Sequence, residues 1–315
     1  MTVVDEFSLI EKIIQPQAGR RDDVILGIGD DGALVLPPAD AELVIVADTL
    51  VEGVHFLPSL PPADIGFRVA AVNLSDLAAM GADARWATLA LTLPQADPDW
   101  LDAFMQGFHA ACRPHAVQLV GGDTTRGPLT LTVQMIGAVP RGQALRRSGA
   151  QPGDGIYVSG TLGDAAAGLE ILKRGGPVNA DEAFLVNRFS RPTARLGLGQ
   201  ALRGIASSCI DISDGLLADL GHICAQSRCG AELDLSRLPL SSALRRVWGA
   251  PAGARLAATS GDDYELCLTV RANGEAEVGA VAPLTRVGTM RTEPGIVVRS
   301  HKAVIVFSQS GYRHF

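Results

Sequence analysis

The sequence predicts an α/β (α+β) protein of two domains, and three observations predict it. Its 315 residues exceed what one hydrophobic core commonly holds. Apolar strand-like runs alternate with helix-like runs in both halves. Between the halves, RRSGAQPGDG (146–155) breaks the pattern, and the alternation restarts beyond it. A boundary near residue 148 gives domains 1–148 and 149–315.

In order, VILGIG (24–29), ALVL (33–36) and LVIVA (43–47) read as strands, each ended by Gly, Pro or Asp. Residues 64–80 read as a helix with Asp64 as its N-cap. WATLALTL (86–93) is a strand, and 98–112 is a helix opened by Pro98. VQLVGG (117–122) and TLTVQMIGAV (130–139) are strands. In the second half, IYVSG (156–160) is a strand, 164–173 a helix, CIDIS (209–213) a strand and 215–226 a helix.

Composition narrows the function. Hydrophobic residues make up 47% and charged residues 19%, ample material for cores. Net charge is −7, so the overall field repels nucleic acid and anionic lipid. The acidic start MTVVDEFSLIEKII lacks the basic, then apolar, pattern of a signal peptide, and no run has the length of a membrane span. Five cysteines without a CxxC pair fit a reduced, cytoplasmic protein.

Gly27–Gly32 fits G-x-G-x-x-G, but strand-like ALVLPP follows where a dinucleotide site needs a helix. The segment reads instead as strand–turn–strand with Asp30 and Asp31 at its tip, as an ordinary polar turn would also have. The design recurs. LVIVA runs into Asp48, VQLVGG into Asp123, and CIDIS carries Asp211 and Ser213 two apart on one face, with Asp214 next. Strand ends are where α/β folds build sites, so four such ends point to a shared acidic cavity. Asp76 lies three residues from Asn73 in a helix that is apolar almost all round. A buried carboxylate there either pairs with Arg68 or Arg85 or holds a metal, and spacing does not choose. All-oxygen ligands favour Mg²⁺ or Mn²⁺, and Mg²⁺ commonly brings phosphates.

P-loop, protein-kinase and hydrolase motifs are absent, and Lys12, Lys173 and Lys302 sit in no phosphate loop. Gly160–Asp164 opens a helix and reads equally as a phosphate loop or an N-cap. Arg126, Arg146 and Arg147 are either phosphate-facing cations or solvated surface, and His55 either meets substrate or caps a turn.

Together GIGDDGALV, ADTLVEGVHF, AVNLSDLAAMGA, VGGDTTRG, DISDGLLADLGHI and SGDDYELCLTV resemble the thiamine-monophosphate kinases, with EFSLIEKI near the start and GYRHF at the end. The resemblance spans almost the whole chain. It implies a two-domain aminoimidazole-ribonucleotide-synthetase-like (PurM-like) fold whose N-terminal domain dimerises through its sheet. It implies transfer of the ATP γ-phosphate to thiamine monophosphate. By position, Asp31, Asp48, Asp76, Asp123, Asp211 and Asp214 would hold several Mg²⁺ ions, with the Val46 and Ala47 carbonyls replacing the family's hydroxyl residues. Gly122, Asp123, Arg147 and Ser213 would contact ATP, and His55, Asp262 and Tyr312 the thiamine substrate. Asp262 stands where the family often has Glu. No residue is implied as a covalent nucleophile or general base. The alternatives are aminoimidazole ribonucleotide synthetase itself and a non-catalytic metal- or nucleotide-binding module. Selenophosphate synthetase would need an early cysteine, and the hydrogenase-maturation relative a terminal one; the chain has neither.

Overall fold

Among the described residues the strands form a two-stranded, a four-stranded and a seven-stranded sheet. The computed structural model describes residues 13–15, 19–281, 283–300, 303–307, 311–312 and 314. One unit comprises the described residues up to Leu77 with Ala82–Gly142, and the other Ala78–Gly81 with the chain from Gln143 onward.

In the first unit, β1 (Val24–Leu26) and β2 (Leu34–Val35) form a small antiparallel pair. Then come β3 (Ala41–Val51), α1 (Pro62–Ala79), β4 (Asp83–Leu93), α2 (Pro98–Cys112), β5 (Gln118–Arg126) and β6 (Thr130–Pro140). The last four strands form a sheet in the order β3-β6-β4-β5, with only β4 and β5 parallel. Alternation sets its faces: Val44, Leu50, Leu89, Leu91, Leu131 and Val133 are buried, while Leu43 and Ile45 on the other face of β3 are exposed. α1 begins at Pro62, so Asp64 lies in its first turn rather than at its cap. Proline lacks the N–H that the first turn cannot use, which moves the start upstream. Ile65, Val69, Val72, Leu74 and Leu77 are all buried, so the helix is enclosed nearly all round, each such side chain contributing about 1.5–3 kcal/mol.

Two glycines set how α1 meets α2. A Cβ at Gly66 would stand 2.0 Å from the Phe104 carbonyl oxygen, and one at Gly107 would stand 1.8 Å from that of Ala63. The helices therefore touch backbone to backbone. Asp23, just before β1, ties that strand to β4: its carboxylate accepts from Arg21 at 2.8 Å, Arg85 at 2.9 Å and Trp86 at 3.1 Å. The Arg21 contact is the main cause that holds its pKa at about 2. Arg85 is thus committed to Asp23 as its ion-pair partner.

The second unit runs β7 (Gly155–Ser159), α3 (Asp164–Lys173), α4 (Ala180–Ser190), α5 (Leu196–Ala201), β8 (Ala206–Asp211), α6 (Leu216–Ser227) and β9 (Gly230–Asp234). It continues with α7 (Ser242–Trp248), α8 (Ala250–Thr259), β10 (Leu266–Val270), α9 (Glu275–Val281), β11 (Leu284–Arg291), β12 (Gly295–Ser300) and β13 (Ala303–Ile305). Its seven strands are ordered β13-β12-β9-β11-β7-β10-β8, and only β12 and β9 run parallel. Ile156, Val158, Ile210, Leu220, Ile223 and Val287 belong to one core cluster. β8 ends at Asp211, so Ser213 lies in the turn beyond it and does not share a strand face with Asp211. The five cysteines are free and buried. Among the described residues no helix is long and apolar enough to cross a membrane.

The helix contact yields a stability test. Gly66→Ala or Gly107→Ala forces a methyl into a carbonyl and is expected to cost about 1–3 kcal/mol, the range for overpacking. Thermal melting reads this directly, with Gly32→Ala, which meets no atom within 4 Å, as the control.

Candidate active site

In the first unit the carboxylates take three positions. Asp30 and Asp31 lie exposed in the turn between β1 and β2, and the Asp30 carboxylate accepts from the Asp31 N–H at 2.8 Å. Asp48 lies on the inward side of β3, in one register row with Val133, Leu89 and Gly122. Asp76, half-buried on α1, meets it by a side-chain hydrogen bond. Burial raises the Asp48 pKa, and the Asp76 contact partly offsets this. Two carboxyls in such contact must share a proton or a cation. One turn away, Asn73 is fully buried. Its amide donates to the Val69 carbonyl at 3.0 Å, and its Oδ1 has no hydrogen-bond partner among the described residues.

Asp123 is exposed and falls in the next row, with Ala90, Thr132 and Thr49, on the other face of the sheet. Three strand spacings separate β3 from β5, roughly 14 Å along the sheet. One ion could not bridge Asp48 and Asp123. Gly122 packs flat: a Cβ there would stand 1.9 Å from the Leu89 carbonyl oxygen. Val46 and Ala47 pair with Met135 and Gln134 on an edge strand. Adjacent residues of an antiparallel strand turn their carbonyls to opposite sides, so only one of these two faces the open edge. His55 closes the turn after β3, its Nδ1 accepting from the Val51 N–H at 3.0 Å. In the neutral ring the proton then sits on Nε2.

In the second unit, the turn Ser213–Gly215 joins β8 to α6. A single oxygen of Asp219, a residue only 2% exposed, accepts from the N–H groups of Ser213, Asp214 and Gly215 at 3.1, 3.1 and 3.0 Å. Burial first, then the charges of Asp211 and Asp214, push its carboxyl up to about 8. The Ser213 carbonyl accepts from Asp262 N–H at 2.9 Å, and the Asp214 carbonyl from Tyr312 N–H at 3.0 Å. Asp262 and Tyr264 have φ of 69° and 51°, strained for residues with side chains, and the Tyr264 hydroxyl donates to Asp262 at 3.2 Å. Tyr312 is 49% exposed and meets the His314 ring edge-on. Arg146 and Arg147 are exposed beside β8, where the Arg146 carbonyl accepts from Cys209 N–H at 2.8 Å and the Arg147 carbonyl from Ser227 at 3.3 Å.

Asp164 is not the N-cap: it is the first residue of α3, Gly163 holds the cap position, and the capping carboxylate comes from elsewhere in the chain. The Asp263 carboxylate accepts from Gly163 N–H at 2.6 Å and Ala165 N–H at 3.3 Å, filling the α3 N-terminus where a phosphate would sit. Asp164 is held by Thr161 and Ser241 at 2.5 and 2.6 Å. Beneath it, the fully buried Glu265 accepts from Ser159 at 2.5 Å, Arg188 at 3.0 Å and Arg195 at 2.6 Å.

Asp219, Asp263 and Glu265 escape sequence reasoning. A carboxylate on an amphipathic helix looks like solvated surface, and nothing in Asp262-Asp263 says which one faces inward. Among the described residues, no three His, Cys, Asp or Glu side chains gather closely enough to hold a metal ion by themselves.

The family model described as AIR synthase related protein, N-terminal domain, matches residues 29–139, and its C-terminal counterpart matches 151–300. The thiamine-monophosphate kinase of Salmonella typhimurium is 48% identical over 98% of both chains. That of Bacillus subtilis is 33% identical over 99% of this chain and 100% of its own. The crystal structure of the thiamine-monophosphate kinase from Stenotrophomonas maltophilia K279a superposes with a TM-score of 0.88 at 48% identity, covering 95% of this chain and 98% of its own. A structure described as AaThiL complexed with AMPPCP and TMP superposes at 0.80 with 31% identity, covering 100% and 98%.

The Asp263 cap carries a pH signature. Burial pushes its carboxyl from 3.8 to about 8 in the folded chain. A raised acid stabilises the fold fully below its unfolded value and loses that contribution as pH rises through the folded value. The melting temperature of the wild type is therefore expected to fall between pH 4 and pH 8 more steeply than that of Asp263→Asn, which keeps an acceptor but does not titrate. Parallel melting curves would contradict this.

Proposed function

We propose that this chain, which belongs to the thiamine-monophosphate kinase family of AIR synthase related proteins, moves the γ-phosphate of ATP onto thiamine monophosphate by a direct, Mg²⁺-dependent transfer. The observation that carries the reading is full-length likeness to these kinases, including one held with AMPPCP and TMP. The chain is a kinase, and its fold is the two-part α/β fold of that family.

The residues present fit Mg²⁺. This ion takes one or two carboxylates plus substrate phosphates and water rather than an all-protein cage. The touching Asp48 and Asp76 carboxyls supply such a pair. When bound, Mg²⁺ neutralises charge on the phosphates and favours their alignment for in-line transfer. In the first unit, Asp31, Asp48, Asp76 and Asp123 would hold these ions, with one carbonyl of Val46 or Ala47. Gly122, flush against β4, would let a nucleotide approach the backbone. In the second unit, Asp211 and Asp214 would hold metal, and Arg147 and Ser213 would contact ATP. His55, with its Nε2 donor, and Asp262 and Tyr312 would contact thiamine monophosphate. The acceptor phosphate is mostly ionised at neutral pH, its second pKa being about 6, so no general base or covalent nucleophile is needed. Domains of 1–148 and 149–315, a cytoplasmic setting and a homodimer complete the reading. Exposed Leu43 and Ile45 support dimerisation through the first sheet.

The test is ADP release by purified protein with Mg²⁺ and each acceptor in turn, with products separated by chromatography. Thiamine monophosphate is expected to react and plain thiamine not, because an alcohol acceptor would need a base. Excess chelator is expected to stop turnover, and added Mg²⁺ to restore it. His55→Ala and Tyr312→Ala are expected to raise KM for thiamine monophosphate more than KM for ATP. Turnover of formylglycinamidine ribonucleotide instead would leave only the shared fold.

A further inference from the structure

Three consecutive backbone N–H groups, those of Ser213, Asp214 and Gly215, point at one oxygen of the buried Asp219. Without that oxygen the amides, one buried and two part-buried, would lie beside the N-terminus of α6 with no such acceptor, a costly arrangement. The carbonyls of the same turn face the other way and take the Asp262 and Tyr312 N–H groups at 2.9 and 3.0 Å. Ile212, immediately before it, exchanges backbone bonds with Tyr264 and Glu265 at 2.9 and 2.8 Å. Space is also tight, since a Cβ on Gly261 would stand 2.0 Å from the Ser213 carbonyl oxygen. One side chain therefore fixes a turn from which both groups of second-unit site residues hang.

We propose that Asp219 is a positioning residue that sets the Ser213–Asp214 turn, and through it the ATP-contacting and thiamine-contacting residues together. The inference rests on the functional reading of Ser213, Asp214, Asp262 and Tyr312 given above. Asp219 acts not on substrate but through the three hydrogen bonds it accepts from backbone N–H groups. Its loss raises the KM of both substrates in step, unlike loss of His55 or Tyr312.

The experiment compares Asp219→Asn, Asp219→Leu and Asp219→Glu by ADP release, with ATP and thiamine monophosphate varied separately, and by melting temperature. Asn keeps an oxygen at the same reach and is expected to hold both KM values within about 3-fold of wild type. Leu keeps the bulk but offers no acceptor, and is expected to raise both by about 10-fold or more, the scale of a buried donor left unpaired. Glu keeps the acid one methylene out of place and is expected to raise both with the fold retained. If Leu does not fold, Glu decides. Wild-type KM values in Leu or Glu, or a rise for one substrate alone, would overturn the proposal, as would failure of Asn to rescue. Amide hydrogen exchange at 213–215 provides a readout independent of activity. It is expected to be slow in wild type and Asn and fast in Glu, and equal rates in wild type and Glu would also overturn the proposal. If the wild type does not use thiamine monophosphate, the functional reading fails on its own, and the exchange rates still judge Asp219.

Discussion

Like charges in hydrogen-bond contact, partly shielded from water, need a proton or a cation between them. The contact between Asp48 of β3 and Asp76 of α1 imposes that need on the first unit. Much of the unit's architecture serves to bring the two together. Inward alternation of β3 sets Asp48 against the helix layer, and α1 is enclosed by apolar residues on nearly every side. Close packing of α1 on α2 at Gly66 and Gly107 leaves the helix little room to move Asp76 away. The Asp23 cluster engages Arg85, so that arginine is used elsewhere.

The second unit handles its acids differently. Glu265 is neutralised by Arg188 and Arg195, Asp263 caps α3, and Asp219 gathers the amides of a turn. These interior carboxylates are satisfied by the protein itself. They hold the frame on which half-exposed Asp214 and Asp262 are presented. The strained φ values of Asp262 and Tyr264 fall where that frame is most tightly bonded, as expected when surrounding contacts over-determine a loop.

Much of the first unit was legible in the sequence. Helix 98–112 is fixed at one end by Asp97 and Pro98 and at the other by the following Arg-Pro, so its limits can be read directly. The strand–turn–strand of Asp30 and Asp31 followed from Pro and Gly punctuation. Strand limits were less visible: β3 extends to Val51, past Asp48, because pairing with β6 outweighs the polar residues there. In the second unit the short helices at 196–201 and 242–248 carry too few turns for periodicity to show, and tertiary packing defines them. Candidate residues could be named from pattern and family resemblance, although only Asp211 ends its strand, while Asp48 and Asp123 lie within β3 and β5 because pairing continues past them. Their supports could not, because a satisfied buried carboxylate and a solvated one are the same letter.

Asp48 and Asp76 are proposed as a cation site, and melting temperature with and without Mg²⁺ tests this. In chelator, Asp76→Asn is expected to be at least as stable as wild type, because a repulsive carboxyl has been removed. Mg²⁺ is expected to raise the melting temperature of wild type, by linkage, and to leave that of Asp76→Asn nearly unchanged. A less stable variant that gains as much from Mg²⁺ as the wild type would show Asp76 to be a structural partner and not a cation ligand.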